Sequence, residues 1–133
     1  MGCRAVIVVD THAWLWWVSA PTKLGAAGRR QLDRAKRIGV PAISCLEVAA
    51  LVTRGRVELD RPVLEWLHDA LSDFRVDLLP LTPAVAVKAA SFGDELPGDP
   101  ADRLIVATAV LESATLVTKD ARIRAWPGVK SVW

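Results

Sequence analysis

Cysteine is scarce in this 133-residue chain: Cys3 and Cys45 are the two present, and they do not form a CxxC pair. That excludes a disulfide-stapled miniprotein and a zinc knuckle, and it is the usage expected in a reducing cytoplasm. An excess of charge of one sign is missing as well. Seventeen Lys and Arg against fifteen Asp and Glu leave a formal net charge of +2, too small for a protein that coats nucleic acid by charge alone. No run of about 20 apolar residues occurs, so a membrane-spanning helix is not expected. Internal repeats and low-complexity segments are also lacking.

What is present is a hydrophobic fraction of 52% with 24% charged residues, the balance of one soluble globular domain over residues 1–133. The N-terminus imitates a leader, with apolar residues 5–9 and 14–18 ahead of Val18-Ser19-Ala20. Asp10 and His12 interrupt that region and only Arg4 precedes it, so it is read as part of the fold. Met1-Gly2-Cys3 imitates a myristoylation start, but Val6 stands where Ser or Thr belongs.

Residues 5–9 form a continuous, mostly β-branched run, the pattern of a strand buried on both faces of a parallel sheet. A short helix is expected from Thr11 to Ser19 before Pro21, and a longer one over 24–38 ended by Gly39. A strand over 40–43, a helix opened by Ser44, a helix after Pro62 and a strand over 76–81 follow. Thr82-Pro83 is an N-cap with Pro at the first helical position, and Asp99-Pro100 is another. A strand over 114–117, a helical turn and an apolar end near 129–133 complete a three-layer α/β/α domain with a mostly parallel sheet.

Asp10, Glu47, Asp99, Asp102 and Asp120 all fall near strand-to-helix junctions. In a parallel sheet those junctions share one edge, so the five acids converge there. Singly, each has a bland reading as a helix cap, with Ser44-Cys45-Leu46-Glu47 matching a capping box. As a set they repel by on the order of kcal/mol per pair at an effective dielectric near 20. Hard divalent cations offset such repulsion, and Mg²⁺ or Mn²⁺ suits carboxylate oxygens. Ions in such sites lower the pKa of a bound water and clamp phosphodiester oxygens. The acids therefore point to metal-dependent phosphodiester hydrolysis.

Asp10-Thr11-His12, Ser44-x-x-Glu47, Asp99-Pro100-Ala101-Asp102-Arg103-Leu104-Ile105 and Thr118-Lys119-Asp120, in this order, resemble the acidic motifs of the PIN domain, most nearly those of VapBC-type toxin ribonucleases. The resemblance covers about residues 4–133. It implies an endoribonuclease, the toxin of a toxin-antitoxin pair, that uses Mg²⁺ or Mn²⁺ to cut structured RNA of the tRNA or rRNA class. Asp10 and Asp102 would be the principal metal ligands. Glu47 and Asp120 would complete the acidic pocket, and Asp99 is a further candidate ligand. Thr118 would sit beside the pocket as a hydrogen-bonding residue at the substrate. A homodimer and a cognate antitoxin bound near Trp14, Trp16 and Trp17 are also implied.

Three tryptophans on a turn and a half of helix cannot all face inward: Trp14 and Trp17 share one side while Trp16 points elsewhere. The alternatives are core filling and an exposed patch for a partner. His12 is a candidate acid or base, and His68 reads as surface. Arg103, Lys119, Arg122 and Arg124 are candidate holders of RNA phosphates, with Arg103 alternatively paired to a carboxylate. Cys3 and Cys45 are expected about one strand length apart, too far for a disulfide. Two rival readings stand beside the nuclease. One is a receiver-type or phosphoryl-transfer Mg²⁺ domain, disfavoured because no second acid adjoins Asp10. The other is a catalytically silent binding module.

Overall fold

The computed structural model describes residues 6–96 and 98–133. Cys3 and Ala5 lie outside them, and with them the expectation about a Cys3–Cys45 disulfide. Val6–Val9 forms β1 and Thr11–Ser19 forms α1. After a 3-10 turn over Pro21–Lys23 come α2 (Ala26–Arg34), β2 (Arg37–Pro41), α3 (Ile43–Thr53), α4 (Val63–Ala70) and β3 (Val76–Leu79). Then follow α5 (Pro83–Ser91), α6 (Pro100–Leu111), β4 (Thr115–Val117), α7 (Ala121–Ala125) and β5 (Ser131–Val132).

The five strands pair in the order β3-β2-β1-β4-β5, and every pairing is parallel. β1 is central because its side chains are apolar on both faces. Ile7 and Val9 enter a core with Trp14, Leu32, Val48 and Trp66. Val8 enters the opposite one with Ile105, Val106, Leu116 and Ile123. The chain winds outward from β1 through β2 to β3, then returns to place β4 on the other side of β1. The β1/β4 boundary is thus a topological switch point, and a crevice opens outside the carboxyl ends of those two strands.

Two local expectations are corrected. The helix expected over 24–38 ends at Arg34, and Arg37 and Ile38 belong to β2. Arg37 donates a forked pair of hydrogen bonds to Asp77 on the neighbouring strand, a partner forty residues on. Gly39 lies inside β2, where an added Cβ would meet Leu79 Cδ1 at 2.5 Å. It is a close-approach residue rather than a helix stop. The capping box at Ser44 does not form either: Ala42 precedes the helix, and the buried Ser44 is its second residue.

Candidate functional site

The crevice is a cleft of ≈ 720 Å³ lined by Asp10, Glu47, Asp99, Asp102 and Asp120, with Lys119 and Arg54 on its walls. Every sequence-predicted acid therefore reaches one space, brought there by the ends of β1 and β4, the second turn of α3 and the start of α6. Three converge most closely. Glu47, Asp99 and Asp102 each offer a carboxylate oxygen, and these oxygens lie within 4.8 Å of one another. Asp10 lines the cleft outside this triad.

Capping holds three of the acids in place. Ala13 N–H donates to Asp10 Oδ1 at 2.9 Å, and Asp102 N–H donates to Asp99 Oδ1 at 2.9 Å. Asp120 accepts from Arg122 N–H at 2.8 Å, and the Arg122 guanidinium returns to its other oxygen at 3.1 Å. Gly98 enters the α6 cap at a φ of +133°, a backbone state that suits glycine. At Asp99 capping and site roles are compatible, since the cap uses one oxygen and leaves the second for the cleft.

Glu47 is held differently. The Thr11 hydroxyl donates to Glu47 Oε1 and stands 3.1 Å from the Ser44 hydroxyl. Thr11 is buried at the start of α1, so this chain of hydroxyls locks α1 to α3 and sets the Glu47 rotamer. Its signal in the sequence was only the Thr between Asp10 and His12, and sequence reasoning assigned Thr11 no role beyond starting the helix. Arg54 was missed as well. It is the residue that ends α3, two turns beyond Glu47, and only the helix geometry shows that it borders the cleft.

The electrostatics follow from this packing. Burial pushes the Asp10 carboxyl above the ordinary range, opposed chiefly by a hydrogen bond with the Thr118 side chain. Asp102 is pushed up to about 6, first by burial and then by the charges of Asp99 and Glu47. Asp120 goes the other way, because the Arg122 guanidinium holds it below the usual carboxylate range. The Asp102 end of the cleft is thus an uncompensated concentration of negative charge, all of it on hard oxygen donors. That is the donor set a small divalent cation takes.

Three residues expected at the substrate or partner are placed elsewhere. Thr118 is fully buried; it orients Asp10 and accepts from Asp120 N–H at 3.1 Å, and does not face RNA. The Arg103 guanidinium pairs with no carboxylate among the described residues. It donates to the carbonyls of Phe92 at 2.7 Å, Gly93 at 3.1 Å and Leu96 at 2.9 Å, pinning the loop that leads into Asp99. Replacing Arg103 by Ala should cost about 2 kcal/mol by leaving these carbonyls short of a donor. Urea melts check this, and an unchanged midpoint would remove the anchoring role. Trp14 is completely buried, so it cannot meet a partner. Trp17 is half-buried beneath Arg75, 5.4 Å from its ring, and Trp16 lines the cleft itself.

Residues 7–128 match the family model described as PIN domain. The chain is 39% identical over 129 residues to "Ribonuclease VapC22" of Mycobacterium tuberculosis, covering 96% of this chain and 98% of that protein. Its fold is that of the structure described as VapBC2 from Rickettsia felis bound to a DNA fragment from their promoter, with a TM-score of 0.71 at 17% identity, covering 96% of this chain and 98% of that one. A toxin-antitoxin complex from Klebsiella pneumoniae superposes with a TM-score of 0.66 at 18% identity, covering 96% of each chain. DNA-bound VapBC from Salmonella typhimurium does so with 0.70 at 18%, covering 95% of this chain and 96% of that one.

Proposed function

The chain belongs to the PIN-domain family, and from that premise we propose that it is a divalent-metal-dependent endoribonuclease, the toxin of a toxin-antitoxin pair. The family assignment sets aside the receiver-type alternative. The observation that carries the reading is the convergence of Glu47, Asp99 and Asp102 oxygens within 4.8 Å, with no cationic side chain paired to any of the three among the described residues. Such a set is costly unless a cation shares it.

Asp102, Glu47 and Asp99 would hold the ion, with Asp10 lining the same cleft, and Mg²⁺ or Mn²⁺ is the fitting charge and size. When bound, it supplies a water that ionises near neutral pH and positive charge for the phosphate oxygens. The chain's own residues do the rest. Glu47, fixed by Thr11, would orient the attacking water. Asp120, neutralised by Arg122, closes the acidic wall with little added repulsion. Lys119 and Arg54 stand on the cleft walls, where long cationic side chains can draw in the RNA backbone.

The substrate is RNA of the tRNA or rRNA class, cut in a single-stranded or looped segment. The partner is an antitoxin, for which the half-buried Trp17 and the exposed Val18 offer apolar contact surface beside Arg75. Exposed Leu46 and Leu64 give a homodimer similar material. No described helix is long and apolar enough to cross a membrane, and the site of action is the cytoplasm.

The test is incubation of the purified chain with total cellular RNA in Mg²⁺, in Mn²⁺ and in EDTA. Discrete fragments in the metal arms alone are expected. Intact RNA in all three arms would leave the binding-module reading in its place.

A further inference from the structure

The cleft also carries a group of residues that the acids do not explain. Trp16 lines it together with His12 and Lys119. The indole is half-buried: the His12 ring centroid lies 5.5 Å from it and that of Trp133 5.8 Å. Two ammonium groups stand over it, Lys119 Nζ at 5.5 Å and Lys23 Nζ at 5.8 Å from the ring centroid. Neither lysine forms an ion pair among the described residues.

Core packing does not require this arrangement. Trp14, two residues earlier, fills the core, whereas Trp16 packs only at the periphery and leaves the rest of its ring in the cleft. A partly exposed indole flanked by two unpaired cations offers one flat π surface and two phosphate-binding charges. Nucleotides match that pair of features, and successive bases of a single strand stack on such rings. The acids lining the same cleft repel phosphate until a cation is present, whereas the two lysines at Trp16 attract it.

We propose that Trp16 is the stacking platform for a nucleobase flanking the cleaved phosphate, and that Lys119 and Lys23 hold the phosphate of that nucleotide. The proposal rests on the ribonuclease reading and adds a subsite to it. Stacking tolerates any base and ranks purines above pyrimidines, so the subsite gives a preference rather than a strict code.

The experiment uses a fluorescein-labelled single-stranded RNA that the wild-type chain cleaves, with binding measured by anisotropy on the Asp102→Asn protein so that the RNA survives. Adding Trp16→Leu should weaken binding by about 5- to 100-fold, and Trp16→Phe should restore most of it. Moving one abasic nucleotide along the RNA should find a position that costs a similar factor on the parent and nothing further on Trp16→Leu. With Asp102 restored, Trp16→Leu should raise KM more than it lowers kcat. Should Trp16→Leu fail to fold, the abasic scan and the exposed-site variants Lys119→Gln and Lys23→Gln still decide. Each lysine variant should reduce the salt dependence of binding by about one phosphate contact.

Unchanged RNA affinity in Trp16→Leu, or abasic losses that merely add to it, overturns the stacking role while leaving the nuclease intact. Loss of antitoxin binding with RNA binding unchanged overturns it too and assigns the ring to protein docking. A wild-type chain that cleaves no RNA removes the nuclease reading itself, and the subsite with it.

Discussion

Asp102→Asn is expected to lower RNA cleavage by about three orders of magnitude while making the metal-free protein more stable. The two effects share a cause. Asp102 is pushed up to about 6 by burial and by the charges of Asp99 and Glu47, so at neutral pH the folded chain holds a carboxylate that its surroundings disfavour. Because the folded-state pKa lies above the unfolded one, near 4, the folded chain binds more protons between those values. Stability is therefore full below about pH 4 as far as this group is concerned and falls as pH rises through 6. Asp10, raised in the same direction, adds to the effect.

Asn keeps the shape and removes the charge. Thermal melts in EDTA should show a midpoint several degrees higher for Asp102→Asn at pH 7, with the gap closing toward pH 4. Adding Mn²⁺ or Mg²⁺ should raise the wild-type midpoint at pH 7 and do much less for the variant. A variant that still cleaves, or one no more stable than wild type in EDTA, would contradict the assignment of Asp102 as the strained centre of the cation site.

Trp14→Ala is expected to cost 3–5 kcal/mol, roughly, a large share of the ~5–15 kcal/mol that holds a domain of this size. Trp14 is completely buried, edge-on to Trp66 at 5.4 Å between ring centroids, and the pair closes the core between α1 and α4. Alanine would leave a cavity beneath the helix whose N-cap is Asp10, so cleavage should suffer as well. Trp14→Phe should be far milder, because the indole Nε1 has no hydrogen-bond partner among the described residues and its removal breaks no bond. Urea denaturation of both, beside Trp17→Ala as the half-buried control, decides the matter. Equal losses at positions 14 and 17 would show that Trp14 is not the structural member of the trio.

How much of this was legible varies by element. The Asp99-Pro100 and Thr82-Pro83 starts appear as expected, each capping side chain accepting from the N–H three residues on. These are local signals, complete within four residues, and no distant contact competes with them. The end of α2 was not legible. Residues 35–38 carry helical spacing in the sequence, yet Ile38 lies in β2 opposite Ile7 and Val76, and Arg37 answers a carboxylate on β3. Partners across the sheet outweigh local propensity there. Ser44 shows the same override: its S-x-x-E spacing suggests a cap, but Thr11 occupies the Ser44 hydroxyl and Glu47.

The order of strands and helices, the burial of β1 and the meeting of five acids on one edge were determined by the sequence itself. Alternation and strand-end position are properties of the chain in one dimension, and a parallel sheet turns them into a shared edge with no further information. Which acids touch, which cation is spent and which tryptophan is available were decided only by the tertiary structure. Glu47, Asp99 and Asp102 converge while Asp120 is paired with Arg122. Arg103 is committed to the 92–96 loop while Lys119 stays in the cleft, and Trp14 is sealed while Trp16 is not. Each of these depends on a few ångströms and one rotamer set by residues far away in the chain, and both charge interactions and side-chain packing change over that distance.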